Sequence, residues 1–412
     1  MAVIRPFKAV RPEQKVSHLV ASVPYDVVNR EEAAELAKGN PISFLRITRS
    51  EIELDSSIDP YDKTVYAKAR ENYLRLKEEA PMVQDEQNTF YVYKLTWGEQ
   101  TQVGIAATFS VDDYDNDIIL KHEKTRKVKE DDRTNHIVTS EAQTGAVFLT
   151  YRGVDEVNQV VEKTMKENDP VYNFTAPDGV HHMVWVMPKD YKDIVVFEIE
   201  KVDKLYIADG HHRAASASRA QKVRKENNVD HEGTEEYNFF LAVLFPAEQL
   251  KILPYNRVVF DLKYENEEDF LNKVSENFII EPTDLKSPAD RRTICMYLAK
   301  RWYKLTPNDN VQPGETVGET LDVSILQNYL LSPVFGIEDP RSDTNVDFIG
   351  GIRGTQELEK LVDSGKAAVA FSMYPVSVDD LMNISDAGEQ MPPKSTWFEP
   401  KLRDGLVVHE LD

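Results

Sequence analysis

Residues 203–226 read Asp-Lys-Leu-Tyr-Ile-Ala-Asp-Gly-His-His-Arg-Ala-Ala-Ser-Ala-Ser-Arg-Ala-Gln-Lys-Val-Arg-Lys-Glu, a strand, a turn and a helix in that order. Leu205 to Ala208 is a short apolar run of strand type, Asp209-Gly210 is a turn pair, and an alanine-rich helical segment follows at once. His211, His212 and Arg213 therefore stand where a strand ends and a helix begins. A helix N-terminus carries backbone N–H groups without intrahelical partners and a positive partial charge, which suits it to phosphate or another anion. Arg213 adds a planar fork of donors that fits a phosphate bidentately, and two imidazoles supply proton donors or acceptors. A blander account makes Asp209 a helix cap and leaves the histidines and arginine on a solvated first turn. Three such side chains converging on the one place that favours anions argue for the phosphorylated ligand.

Working outward, strands alternate irregularly with helices. Glu31 to Lys38 and residues 60–79 read as helices, and Phe90 to Trp97 with Thr101 to Ser110 as a β-hairpin around Gly98-Glu99-Gln100. Ile118 to Leu120 is a short strand leading into a charged stretch and a helix to about residue 142. Strand 146–151, helix 155–167 and strands 181–187, 193–200 and 204–208 lead up to the motif, and Phe239 to Phe245 follows its helix as an apolar strand. Further on come helix 266–276, strands near 278–281 and 294–305, helix 321–331, a strand–glycine–helix unit from Asp347, strand 367–373 and helix 377–384. Hairpins mixed with crossover helices predict an α+β fold of mixed sheets. At 412 residues two domains are expected. We place the first at 1–264, containing the motif, and the second at 265–412, as a C-terminal α/β region packing back on it.

The net charge is −22, from 49 Lys plus Arg against 71 Asp plus Glu. Such a surface argues against general nucleic-acid or anionic-membrane binding while allowing a local basic pocket. The single cysteine, Cys295, sits in a strand-like run and reads as a buried structural thiol. No signal-peptide pattern and no run of eighteen or so apolar residues is visible, so a cytoplasmic protein without a membrane span is expected.

Other candidate groups are scattered. Lys121-His122-Glu123-Lys124 ends a strand: Glu123 is a candidate general base or magnesium ligand, with Lys121 and Lys124 to neutralise phosphate charge. A solvated helix face explains the same charges equally well. Gly350-Gly351-Ile352-Arg353-Gly354 has the flexibility of a phosphate loop but no Walker pattern, and Lys394, Ser395 and Thr396 form a polar loop suited to closing over an anion. The adjacent pairs His181-His182 and His211-His212 lack zinc-ligand spacing, and neighbouring strand side chains face opposite ways.

Pro24-Tyr25-Asp26-Val27, Asn40-Pro41 with Ser43-Phe44-Leu45, Lys121-His122-Glu123, Ala208 to Arg213, and Met391 to Thr396 with Pro400-Lys401-Leu402 and Gly405-Leu406-Val407 resemble the landmarks of a bacterial and archaeal family labelled domain of unknown function 1015. The likeness extends over nearly the whole chain. Asp209 to Arg213 is also similar to the signature of the wider ParB/sulfiredoxin-like group, which includes free-serine kinases. That resemblance implies a ParB/sulfiredoxin-like core, a nucleotide (ATP or ADP) held by Asp209, Gly210 and Arg213, Mg2+, and a small hydroxyl substrate such as serine. It implies that Glu123 is the catalytic base; the residues themselves add His211 and His212 as catalytic candidates and Lys121, Lys124, Arg353, Lys394, Ser395 and Thr396 as candidate phosphate contacts. Where sulfiredoxins carry a reactive cysteine this chain has His211, and no basic recognition helix of a partition protein is present. The expected activity is phosphotransfer; the alternative is a non-catalytic nucleotide- or phosphate-binding regulatory protein.

Overall fold

The computed structural model describes residues 2–79, 82–312 and 314–411. The chain divides into two compact units. The first runs from the start through Lys121, then Thr125–Leu250, and takes up the chain again from Pro400; the second comprises His122–Lys124 and Lys251–Glu399. The change of unit at Leu250/Lys251 lies ahead of the expected 264/265 because residues 251–259 are strands of the second unit.

A nine-stranded mixed sheet organises the first unit: β1 (Ile4–Arg5), β2 (Tyr91–Trp97), β3 (Gln100–Ser110), β4 (Ile119–Leu120), β5 (Val147–Tyr151), β6 (Tyr172–Thr175), β7 (His181–Val186), β8 (Leu205–Asp209) and β9 (Phe239–Pro246). Their order is β4-β8-β5-β9-β3-β2-β7-β6, with β1 added alongside β3. Two neighbouring pairs, β8 with β4 and β9 with β5, are parallel, and the rest are antiparallel. The hairpin of β2 and β3 turns at Gly98, whose φ of +57° a glycine adopts without strain. β9 is buried almost throughout and β3 from Gly104 to Phe109, where their apolar runs lie.

Four helices matter to the site: α1 (Lys127–Ser140), α2 (Asp155–Glu167), α3 (Lys189–Ile199) and α4 (His211–Asn227). From α2 and α3, Val157, Val160, Val161, Val195 and Ile199 join Ile105, Leu149, Leu205 and Ile207 of the sheet in one core cluster. The strand expected at 193–200 is therefore a correction. Its β-branched run Ile194-Val195-Val196 buries Val195 and Ile199, four residues apart on one helical face, and tertiary packing overrides strand propensity.

In the second unit, β10 (Tyr255–Val259), β11 (Phe278–Pro282), β12 (Ile294–Leu298), β13 (Arg301–Pro307), β14 (Val346–Gly350) and β15 (Val369–Ser372) form a sheet ordered β11-β13-β12-β15-β10-β14. Every pairing in it is antiparallel, in contrast to the expected α/β arrangement. The single strand expected over 294–305 is a hairpin, turned at Ala299 and Lys300 with φ of 46° and 65°. No glycine marks that turn, so the apolar run reads through it.

Candidate functional site

The register between β8 and β5 shifts between Ile207 and Asp209, a bulge that re-aims the strand end immediately before the motif. Leu205 to Ala208 are buried and fix the strand in the core. Gly210 then takes φ +90° and ψ 31°, and α4 begins at His211. Gly210 offers no side-chain oxygen to the first turn. Its own N–H donates to Asp209 Oδ1 at 2.8 Å, and Lys401 Nζ donates to Asp209 Oδ2 at 2.8 Å. Burial alone would raise the Asp209 carboxyl; Lys401 and Arg213 outweigh it and hold it well below the usual carboxylate range.

Arg213 is buried, one turn into α4. Its Nη1 donates to the Ala146 carbonyl at 2.7 Å and its Nη2 to the Asp26 carboxylate at 3.1 Å. Burial disfavours the guanidinium's charge, but Asp26, Asp404 and Asp209 keep it fully protonated. Tyr25 is shared between two cations: its ring centroid lies 4.2 Å from Arg133 Cζ and 5.7 Å from Arg213 Cζ. Asp404 completes the group. Its backbone pairs with Ser22 in both directions, at 2.9 and 3.1 Å. Burial pushes its carboxyl up to about 7, with Asp26 adding to the rise and Arg213 and Arg133 opposing it. Tyr25, Arg133, His136, Thr144, Arg213 and Asp404 line a cavity of about 30 Å³, room for a water or two. Arg213 Nε and Asp404 Oδ2 are buried there with no protein partner.

His211 is buried, while His212 is half-buried and its Nε2 accepts the Arg126 N–H at 3.1 Å just ahead of α1. A nitrogen that accepts carries no proton, so the geometry assigns His212 the Nδ1–H tautomer. The two imidazoles thus have different settings. Lys121 pairs with Asp117 at 2.8 Å and lies 4.2 Å from the Tyr114 ring.

The remaining expected residues belong to the second unit. Glu123 and Lys124, with Gln327, Asn328, Asp339 and Arg341 among others, line a cavity of about 570 Å³. Arg353 is exposed at the end of a short turn, Gly351–Arg353. Lys394 is exposed with φ 56°, Ser395 is buried with its Oγ donating to the Pro392 carbonyl at 2.6 Å, and Thr396 is half-buried. Among the described residues no three His, Cys, Asp or Glu side chains are grouped so as to hold a metal ion.

Asp26, Lys401 and Asp404 were not singled out as site residues by the sequence. Asp26 and Lys401 belong to stretches noted only as family landmarks, and Asp404 carries no local signal at all. Their positions near the two ends of the chain hide the relation.

Residues 4–324 match the family described as Protein of unknown function (DUF1015). The chain belongs to that family. No curated protein matches it. Among solved structures it is similar to a free serine kinase in complex with AMP (11% identity, 75% of this chain and 93% of that one, TM-score 0.38). It is also similar to C-terminally truncated SbnI from Staphylococcus aureus (12%, 73% and 86%, 0.39) and to a conserved hypothetical protein from Pyrococcus furiosus (11%, 73% and 94%, 0.35). Likenesses of that size carry no argument about this DUF1015 chain. Among its described residues no helix is long and apolar enough to cross a membrane.

Proposed function

We propose that this protein is a nucleotide-dependent phosphotransferase acting on a small hydroxyl compound, with free serine as the first candidate. One observation carries the reading. Gly210, at φ +90°, turns a buried strand directly into a 17-residue helix, at a point where Asp209, Arg213 and Lys401 are already fixed. A helix start of this kind attracts the phosphates of ATP or ADP. In the proposal His211 and His212 stabilise the transferring group, Lys121 and Lys124 offset its charge, and Glu123 takes the acceptor's proton. The role of Glu123, like the ParB/sulfiredoxin-like core, rests on the family resemblance, and those of Lys121 and Lys124 on their charge beside it. Magnesium is commonly held by one or two carboxylates and the phosphates themselves, and we assign the exposed Asp26 to that place.

A non-catalytic phosphate- or nucleotide-binding regulator is the second reading. It is favoured by the Arg213 fork, which is already engaged by Ala146 and Asp26. Incubation with ATP or ADP and a panel of amino acids, followed by phosphorus NMR, separates the two. A new phosphomonoester that disappears in Glu123→Gln supports transfer. Stabilisation by nucleotide with no product supports the regulator.

A further inference from the structure

Arg257 lies on β10 with 2% of its surface exposed, flanked by Phe348 of β14 and Phe371 of β15. Its guanidinium stands 5.3 Å from the Phe348 ring centroid. Nη1 donates to the Tyr255 carbonyl and Nη2 to the Lys394 carbonyl at 3.3 Å. No carboxylate among the described residues pairs with it, and burial pulls the guanidinium down to about 10. This is the reverse of Arg213, whose buried charge is balanced by three aspartates. A buried cation without a counter-ion is costly unless something anionic completes it.

The residue whose carbonyl receives Nη2 is itself a lysine, Lys394. The loop 391–396 is anchored by the Ser395 hydroxyl on Pro392 and by Arg257 on the Lys394 carbonyl. Lys394 itself sits at φ 56°, a conformation disfavoured for a side chain with a Cβ. Its ammonium lies 5.6 Å from the Tyr255 ring centroid, while the carbonyl of the same tyrosine receives Arg257. Tyr255 thus meets both cationic residues, Arg257 at its carbonyl and Lys394 at its ring face. Two cations call for a dianion, and a planar guanidinium beside a compact ammonium matches phosphoryl oxygens.

We propose that the second unit carries a phosphoryl-binding site built on Arg257 and Lys394, taking free phosphate or a phosphomonoester. It stands on residues of that unit alone and does not need the transferase reading.

Thermal unfolding of the full chain with inorganic phosphate, AMP or acetate, at matched ionic strength, tests it. Phosphate should raise the wild-type melting temperature saturably, since a ligand confined to the folded state stabilises it. Arg257→Met should bind phosphate about tenfold or more weakly, the loss expected for charge-assisted hydrogen bonds. It should also melt above wild type without phosphate, because the uncompensated charge is gone. Lys394→Ala, on the surface, should fold normally and weaken the response several-fold. A response to AMP but not to phosphate keeps the phosphoryl class and assigns an esterified source. An undiminished phosphate response in Arg257→Met, or in Lys394→Ala if the former does not fold, overturns the proposal, as does an equal response to acetate. Only binding is read, so a protein without transferase activity still passes.

Discussion

Arg213 and Asp26, 187 positions apart in the chain, form an ion pair at 3.1 Å in the first unit. The arginine side chain is 8% exposed and the aspartate 37%, so the pair is buried at one end and wet at the other. That asymmetry ties the motif helix to the N-terminal segment while leaving a carboxylate edge facing water. Stability and reactivity at the motif are therefore set by residues the motif does not contain.

Substitutions at the two ends of this pair should differ in cost. Arg213→Met leaves the buried Asp404 and the half-buried Asp209 with less compensation, and losing one partner of such a group costs about 3–5 kcal/mol. Asp26→Asn removes a charge already in contact with solvent and should cost about 1 kcal/mol or less. Urea unfolding of both variants checks the order. Equal costs would mean that the pair with Asp26 carries nearly all of what Arg213 contributes.

Gly210 is held by conformation rather than by crowding. A Cβ there meets Val147 Cα at 3.4 Å, an ordinary contact, but φ is +90°. Gly210→Ala should lose about 1–2 kcal/mol, Gly210→Asn less and Gly210→Val more, following each side chain's tolerance of left-handed backbone. If phosphate binds at this turn, nucleotide affinity should fall in the same order, read by calorimetry on the folded variants.

What the sequence made legible was local. The helix expected at 155–167 matches Asp155–Glu167, and the hairpin expected across residues 90–110 is present. In both, hydrophobic period and turn residues agree with the tertiary environment. Ile194-Val195-Val196 misled because β-branched residues pack as well on a helix whose face is buried. The motif was visible since Asp209 to Arg213 are contiguous, whereas Lys401 and Asp404 reach it only through long-range folding. Arg257 gave no signal either, since a lone arginine in an apolar strand shows its missing counter-ion only in three dimensions.

Cys295 is fully buried on β12, and burial raises its thiol to about 11. Thiolate is the reactive form, so the native protein should resist a thiol reagent and react at one site per chain only on unfolding. Labelling rate against urea concentration measures this. Rapid labelling in native buffer would contradict the packing of the second sheet.

Asp404 and His136 should oppose each other in acid. The unfolded Asp404 carboxyl titrates near an ordinary value of about 4, whereas burial holds the folded one at about 7. Between those values the folded chain keeps a proton the unfolded chain has lost, so this group makes stability fall as pH rises. His136 acts the other way. Burial, aided by Arg133, lowers it to about 4, and its Nε2 donates to the Ile47 carbonyl at 3.1 Å. The unfolded imidazole takes up a proton below about 6.5, so this group makes stability fall as pH drops from there toward about 4. Asp404→Asn keeps the side chain's shape without its ionisation and should remove the first slope. The variant should exceed wild type in stability above about pH 7, and on the acid side it should show a steeper net loss than wild type as pH falls. Urea midpoints for both proteins from about pH 4 to pH 8 decide the matter, and parallel curves would show that Asp404 is ionised in the folded protein throughout.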